Sequence, residues 1–290
     1  GISESEVFLG NTTTPLKITI IDSSLKKIKT QQITLDRLDL PFQSVQVSII
    51  SPNFFVYDGT VACFYKGSTK DWKAILKYKG DTFISVAESL DSTTIAFRGF
   101  DNQNSKSILG SYSISDKKIN YNGNLLQKQK DGIFDSDGLL HFDVLSQRLI
   151  YVYRYRNQYF LTDKKLQLES RGNTIDTIST AQIKVEAITS HNQQKKSVPP
   201  VVVNKSSAVY NNLLFVNSMI MGRFEPEDMW EDNSIIDVYD LNNNSYLYSF
   251  YIYPVSGHKL RSFRVSGNIL YALIGNSLVT YKLNDKQYKK

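Results

Sequence analysis

Short runs of aromatic and β-branched residues recur along the chain, and their repetition limits the folds it can adopt. Between Phe134 and Asp163 an Asp-Gly turn at 137–138 precedes two such runs, residues 148–155 and 159–163. Each run is as long as a β-strand, and Asp, Asn, Gly or Ser, which favour tight reversals, separate the runs. The stretch therefore predicts one antiparallel sheet of a repeated structure.

Similar groups of strand-length runs occupy residues 45–78, 83–122, 134–170, 201–251 and 260–283. Groups of four short strands every 40–50 residues, roughly, are typical of a β-propeller. We predict an all-β propeller with five blades, or six if residues 7–35 and 171–190 contribute more strands. A β-sandwich is the alternative fold, and the regular grouping disfavours it.

The two ends of the chain suggest how the propeller closes. Residues 15–35 read as a hairpin, and the last group has only three clear strands. We therefore expect an N-terminal strand to complete the last blade, because closure removes exposed sheet edges. Residues 1–14 are polar and are predicted to be loosely ordered. Residues 171–200 read as a strand extension or an inserted hairpin, within a single domain spanning 1–290.

Composition and charge narrow the classes of partner. The formal charge is +6 and the isoelectric point is about 9.1, but Lys and Arg are scattered and form no basic stripe, so we expect no nucleic-acid partner. No run approaches the roughly 18 apolar residues of a membrane helix.

The sequence has a single cysteine, Cys63, which excludes an intramolecular disulfide. Because Cys63 lies in an apolar run, we predict that its thiol is buried. We expect a monomer.

The chain begins Gly1-Ile2-Ser3, without Met and without an apolar leader. We interpret this start as the product of trimming that removed a secretion or lipoprotein leader. The expected location is therefore extracytoplasmic, in the periplasm or at the cell surface, with a lipid anchor as one possibility.

Several segments together resemble a known group of proteins. They are residues 173–178, the pair Pro199-Pro200, residues 234–241 with the pattern Asp-x-Tyr-Asp-Leu, and the Tyr-rich residues 249–252. The chain resembles the uncharacterised propeller-type proteins that bacteria of the Bacteroides group secrete or anchor as lipoproteins. The resemblance implies a propeller fold and an extracytoplasmic location, and it assigns no catalytic residues.

An insertion at 218–233, within the fourth predicted blade, is the most distinctive local feature. It holds one of the two tryptophans, Trp230, among acidic residues that include Glu227 and Asp228, together with Arg223. An exposed tryptophan rimmed by acids could stack on a sugar or anchor a protein partner. The alternative is that Trp230 folds back on the blade and the acids are only solvated.

Arginines in the central repeat are further binding candidates. Arg154 and Arg156 alternate with Tyr153 and Tyr155, and either guanidinium could hold a carboxylate or sulfate. The alternative is that both arginine side chains extend along the strand surface towards solvent or pair with acids of neighbouring strands.

The sequence contains no motif that identifies an active site or a cofactor. The three histidines, His141, His191 and His258, have no metal-binding spacing, and no nucleophile elbow or phosphate loop is present. The turn at 135–138 is too incomplete for a calcium loop. We therefore predict no metal and no cofactor.

Two functions remain open. The first is a non-catalytic binding or scaffold propeller that recognises a glycan or a cell-envelope protein. The alternative is a propeller glycoside hydrolase or lyase that uses clustered carboxylates, with Asp81, Asp135, Asp137 and Glu186 as candidates. The lack of a catalytic motif favours the binding protein.

Overall fold

The computed structural model describes residues 1–3, 5–81, 83–101, 103–183, 185–188, 193–196 and 199–284. The chain divides into two compact units, Gly1–Leu125 and Leu126–Lys290. The single domain spanning 1–290 stays a prediction.

The described residues of the first unit form three sheets. The strand bounds are β1 Glu6–Leu9, β2 Lys17–Asp22, β3 Ile28–Gln32, β4 Thr34–Leu35, β5 Val45–Ile50, β6 Asn53–Asp58, β7 Cys63–Ser68, β8 Lys73–Lys79, β9 Ile84–Ser89, β10 Thr94–Asp101, β11 Lys106–Ser113 and β12 Lys118–Asn122. The strands pair antiparallel in the orders β1-β2-β3, β5-β6-β7-β8 and β9-β10-β11-β12, and the short strand β4 adds to β8 in parallel.

Strand β6 shows why some runs in this unit are apolar at successive positions and do not alternate with polar residues. Phe54 and Val56 pack in the core shared with the β1–β3 sheet, whereas Phe55 and Tyr57 pack in the core shared with the β9–β12 sheet. A sheet that is covered on both faces needs apolar residues at every position of its inner strands. Trp72 stacks on Phe54 with ring centroids 5.5 Å apart.

In the part of the second unit that the structure describes there are three further antiparallel sheets, a small hairpin and one short helix. The bounds are β13 Gly138–Asp143, β14 Arg148–Tyr153, β15 Gln158–Thr162, β16 Leu168–Asn173, β17 Val185–Ile188, β18 Gln193–Lys196, β19 Asn204–Tyr210, β20 Leu213–Ser218, α1 Glu227–Asp232, β21 Ser234–Asp240, β22 Ser245–Ile252, β23 Leu260–Ser266, β24 Ile269–Ile274 and β25 Ser277–Lys282. The strands of the sheets pair in the orders β13-β14-β15-β16, β19-β20-β21-β22 and β23-β24-β25, and β17 pairs with β18.

The sheets of the second unit also stack through both faces. On β20, Leu214 and Val216 pack against residues of β14 and β15, whereas Leu213 and Phe215 pack against residues of β23 and β24. The first strands of the three sheets are neighbours, because β13 contacts β19 and β19 contacts β23. This order places the side chains of three successive sheets within reach of one another.

Aspartate and asparagine residues close the hairpins, as the sequence predicts. Asp58 accepts hydrogen bonds from the backbone N–H of Thr60 and Val61 at 2.8 and 2.9 Å. Between β19 and β20, Asn211 and Asn212 have φ of 50° and 62°, the left-handed conformation that a two-residue hairpin turn requires.

The fold class is an all-β propeller with six blade sheets, which the sequence analysis allowed beside its preferred count of five. The additional sheet is β1–β3. Two expectations were wrong for the described residues. Glu6–Leu9 forms a strand in which Val7 and Phe8 are buried, so residues 1–14 are not loosely ordered as a whole. That strand pairs with β2 and the last sheet consists of β23–β25, so the N-terminal strand does not complete the last blade.

The structure also locates the two irregular segments of the sequence, residues 171–200 and the insertion at 218–233. Residues 171–200 include the hairpin β17–β18, but it pairs residues 185–188 with 193–196, so the expected strand at 174–178 is not part of it. The insertion at 218–233 connects β20 to β21 and therefore belongs to the fifth sheet along the chain, not the fourth.

No helix in the described residues is long and apolar enough to cross a membrane.

Candidate functional site

The insertion between β20 and β21 carries the helix α1. Glu227 and Asp228 lie in the first turn of α1, where a negative charge is favourable beside the partial positive charge of the helix N-terminus. At the other end, the Asn233 side chain donates to the Met229 carbonyl at 2.9 Å. A helix of six residues is marginal alone, so these local contacts and its attachment to the sheet hold it.

A cleft of about 390 Å³ lies beneath the insertion. Three segments of the second unit form its walls: the insertion, one face of the β21–β22 pair, and the loop that follows β16. The lining residues are Ile175, Asp176, Thr177, Ser218, Ile220, Met221, Gly222, Arg223, Glu225, Ile235, Asp237 and Ser249.

Strand register places Asp237 in the cleft. Ile235 and Asp237 are two residues apart on β21 and therefore share a face, and Ser249 on β22 is directly opposite Asp237. The Ser249 hydroxyl donates to the Asp237 carboxylate at 2.5 Å. Asp237 is only 3% exposed. Burial raises the pKa of Asp237 to about 6, and the nearby carboxylates of Asp176 and Glu225 raise it as well.

Asp176 enters the cleft from the loop after β16. Its carboxylate accepts from the Thr174 hydroxyl at 2.6 Å and from the Ile178 N–H at 2.9 Å. The loop is tied to β21 because the Ile175 N–H donates to the Tyr239 hydroxyl at 3.0 Å. Burial raises the pKa of Asp176 above its usual range.

The insertion contributes a third carboxylate and a cation. The Tyr251 hydroxyl donates to Glu225, and this hydrogen bond raises the pKa of Tyr251 to about 12. Arg223 is exposed and its guanidinium lies 5.4 Å from the centre of the Phe224 ring. The cleft thus contains three carboxylates and one guanidinium.

An apolar surface borders the cleft. Met219, Met221 and Phe224 of the insertion and Tyr253 after β22 are exposed, and we call these four residues the apolar rim. Phe224 is 89% exposed. Tyr253 connects to the cleft through Tyr251, with ring centroids 6.4 Å apart. Exposed apolar side chains grouped together mark interaction surfaces more often than single ones do.

The structure separates the predicted site residues into two groups. Arg223 lines the cleft, and Glu227, Asp228 and the half-buried Trp230 lie on α1 in the same insertion. The binding role of these four residues stays a prediction. The sequence analysis did not name Asp176, Asp237 or Ser249 as site residues. A signal was present for Asp237, because a carboxylate is unusual within the largely apolar run 234–239.

The two arginines of the central repeat lie elsewhere in the unit, at the turn between β14 and β15. Arg154 contacts Asp137 at 3.5 Å and donates to the Lys205 carbonyl at 3.1 Å. Arg156 is fully buried, with its guanidinium 3.6 Å from the centre of the Tyr153 ring. Because both side chains contact residues of their own unit, we leave them out of the proposed site, and their binding role stays untested.

His141 and Ser207 form a pair that resembles a base and a nucleophile. The His141 Nε2 lies 2.7 Å from the Ser207 hydroxyl, and Nδ1 lies 3.4 Å from a guanidinium nitrogen of Arg264. Because a guanidinium only donates, Nδ1 is the acceptor and Nε2 carries the proton. His141 therefore cannot take the proton of Ser207, and the cluster is structural. Burial lowers the pKa of His141 to about 3.

Among the described residues, no group of three His, Cys, Asp or Glu side chains is arranged to hold a metal ion.

Comparisons with known proteins define the fold. No family model and no curated protein matches this chain. A member of the DUF4221 family from Bacteroides vulgatus superposes with a TM-score of 0.55 at 11% identity, covering 93% of this chain and 87% of its own. A protein of unknown function from Bacteroides thetaiotaomicron gives 0.54 at 9% identity, covering 97% of this chain and 68% of its own.

A functionally unknown protein from Desulfotomaculum acetoxidans gives a TM-score of 0.53 at 10% identity, covering 98% of this chain and 77% of its own. Identities this low show the fold alone. The resemblance to uncharacterised Bacteroides proteins is thus confirmed at the level of the fold.

Proposed function

We propose that this protein is a non-catalytic binding or scaffold protein whose recognition surface is the cleft together with the apolar rim. The observation that carries the proposal is a cleft of about 390 Å³ with a buried carboxyl group and a border of exposed apolar side chains. Ligand sites are concave, partly apolar and supplied with a few placed polar groups, and this cleft has those properties.

Two of the four carboxylates that the sequence suggested for hydrolysis, Asp135 and Asp137, make structural contacts. Asp135 is buried and accepts the backbone N–H of Gln129 and Gly132 at 2.8 and 3.0 Å, and Asp137 contacts Arg154. Asp81 belongs to the first unit, and the side chain of Glu186 lies outside the described residues. These contacts favour a binding protein over the glycoside hydrolase alternative.

We propose further that the protein works outside the cytoplasm, because its sequence resembles a group of Bacteroides propeller-type proteins that we expect to be secreted or anchored as lipoproteins. Fractionation of the native host with an antibody to this protein tests the location. Recovery only in the cytoplasmic fraction would contradict it.

The binding proposal is tested with immobilised protein and a panel of glycans and cell-envelope proteins. We expect Phe224→Ser and Trp230→Ala to weaken capture, because both change the insertion. Leu145→Ser is the matched control, since Leu145 is 60% exposed in the turn between β13 and β14. Equal capture by all variants would contradict the proposal. So would turnover of any glycan that disappears in Asp237→Asn.

A further inference from the structure

We propose that the cleft receives a long basic side chain, lysine or arginine, presented by a protein segment whose neighbouring apolar residues pack on the apolar rim. This inference rests on the proposed function and names the chemistry of the partner. Burial, charge and the character of the rim support it independently.

The position of Asp237 limits the shape of the ligand group. Asp237 lines the cleft but is only 3% exposed, so the group that reaches it must have a small polar tip on a slender stem. Ile175, Ile220 and Met221 line the same cleft and offer apolar surface for such a stem. Lysine and arginine combine a hydrocarbon stem with a charged head, and they pack in this way on other apolar surfaces.

The charge of the cleft determines the sign of the charge that its ligand carries. Asp176, Glu225 and Asp237 outnumber the single cation Arg223. The insertion 218–233 as a whole carries five acidic residues and one arginine, a net charge of −4, within a chain of net charge +6. A local acidic surface on a basic protein attracts cationic groups that the remaining surface repels.

The arrangement of oxygen atoms favours an organic cation over a metal ion. No group of three metal-ligating side chains occurs in the described residues, so the cleft lacks the compact ligand set that a divalent ion requires. The cleft instead spreads its acceptors among carboxylates and the hydroxyls of Thr177, Ser218 and Ser249. An ammonium or guanidinium group, with three or five N–H donors, suits separated acceptors.

The apolar rim favours a protein over a glycan. Three of its four side chains, those of Met219, Met221 and Phe224, have no polar atoms apart from the weakly accepting thioethers, and Tyr253 adds a single hydroxyl. Hydrogen-bonding side chains, which sugar hydroxyls need, are absent from these three positions. Apolar neighbours of a lysine or arginine on a peptide would cover this surface on binding.

The experiment uses fluorescent peptides with the core Leu-X-Phe, in which X is lysine, arginine, norleucine or glutamate. We expect the lysine or arginine peptide to bind at least about tenfold more tightly than the norleucine peptide, and the glutamate peptide to bind weakest. Asp237→Asn should remove most of that preference. The matched control is Asp116→Asn, an exposed acid in the turn between β11 and β12 that neither belongs to the insertion nor lines the cleft.

Affinity should also rise with pH through the titration of the cleft. The groups that face Asp237 are Asp176 from the loop after β16, Glu225 and Arg223 from the insertion, Tyr239 on the same strand, and Ser249. Since ionised Asp237 is the form that attracts a cation, the lysine peptide should bind several-fold more tightly at pH 7.5 than at pH 5. Asp237→Asn should flatten this dependence.

Equal affinity for the norleucine and lysine peptides, or an unchanged preference in a folded Asp237→Asn protein, would overturn the inference. A glycan that competes at the cleft while the peptides fail would do so as well. In either case, capture of a partner that still depends on Phe224 leaves the binding function standing. If capture does not depend on Phe224 either, the proposed function itself is contradicted.

Discussion

Two buried titratable groups in the second unit have opposite surroundings. His141 lies among the first strands of three sheets, where Ser207 and Arg264 satisfy both ring nitrogens of the neutral ring. Asp237 lies against a cleft, receives hydrogen bonds from Ser249, at 2.5 Å, and from Tyr239, and faces two other carboxylates. Only the second arrangement leaves charge that an external group could neutralise. The comparison distinguishes polar groups that serve the fold from polar groups available to a ligand.

The largest expected effect concerns the proton on His141. Its pKa is about 3 in the folded protein against 6.5 as the ordinary value, so the unfolded chain binds the proton more readily between these pH values. The contribution of neutral His141 to the free energy of unfolding is fully present above pH 6.5. It decreases by up to about 5 kcal/mol as the pH falls towards 3. Urea unfolding against pH should show the loss in the wild type and less of it in His141→Gln. The exposed His258→Gln should behave like the wild type, and an identical slope in all three proteins would contradict the expectation.

Asp237 should act in the opposite direction. Its pKa of about 6 lies above the ordinary 3.8, so the folded protein binds the proton more readily and this contribution to stability falls as pH rises from 3.8 to 6. Asp237→Asn should therefore stabilise the protein at pH 7.5, by up to about 3 kcal/mol. The readout is the free energy of unfolding at pH 7.5 and at pH 4.5, with Asp232→Asn as control. Destabilisation at both pH values would mean that the carboxylate serves the fold after all.

The two serines sharpen the same comparison. Ser207→Ala should lower stability by about 1–2 kcal/mol, because it leaves the buried N–H of His141 without its acceptor. Ser249→Ala should instead raise the pKa of Asp237, since the hydroxyl donates to the ionised carboxylate. Unfolding curves and an NMR titration of the Asp237 carboxyl group measure the two effects. Similar stability losses, without a pKa change in Ser249→Ala, would remove the distinction.

The smallest expected effect is at Phe224. Because the side chain is 89% exposed, Phe224→Ser should change the free energy of unfolding by less than about 0.5 kcal/mol. Thermal unfolding tests this expectation. A large loss of stability would show that the side chain packs on the protein and does not await a partner.

The sequence predicted the parts of this protein that depend on local chemistry. Strand runs and Asp-rich turns are readable because propensity and turn geometry act over a few residues, and the insertion is visible as a break in the pattern. The first sheet was misassigned because an edge strand such as Glu6–Leu9 gains its order from packing of Phe8 against distant residues, Trp72 among them. The cleft was not predictable, since the approach of Asp176 to Asp237 depends on how separate sheets stack.

The insertion also has a consequence for evolution and engineering. Its two ends are neighbours in the sheet, where Ser218 is directly opposite Ile235. A loop that leaves and re-enters a sheet at adjacent positions can change length at a cost that grows only logarithmically. Sequence changes between residues 219 and 233 can thus alter what is recognised while the six sheets keep their packing. The insertion is a natural position for exchanging recognition loops on an unchanged scaffold.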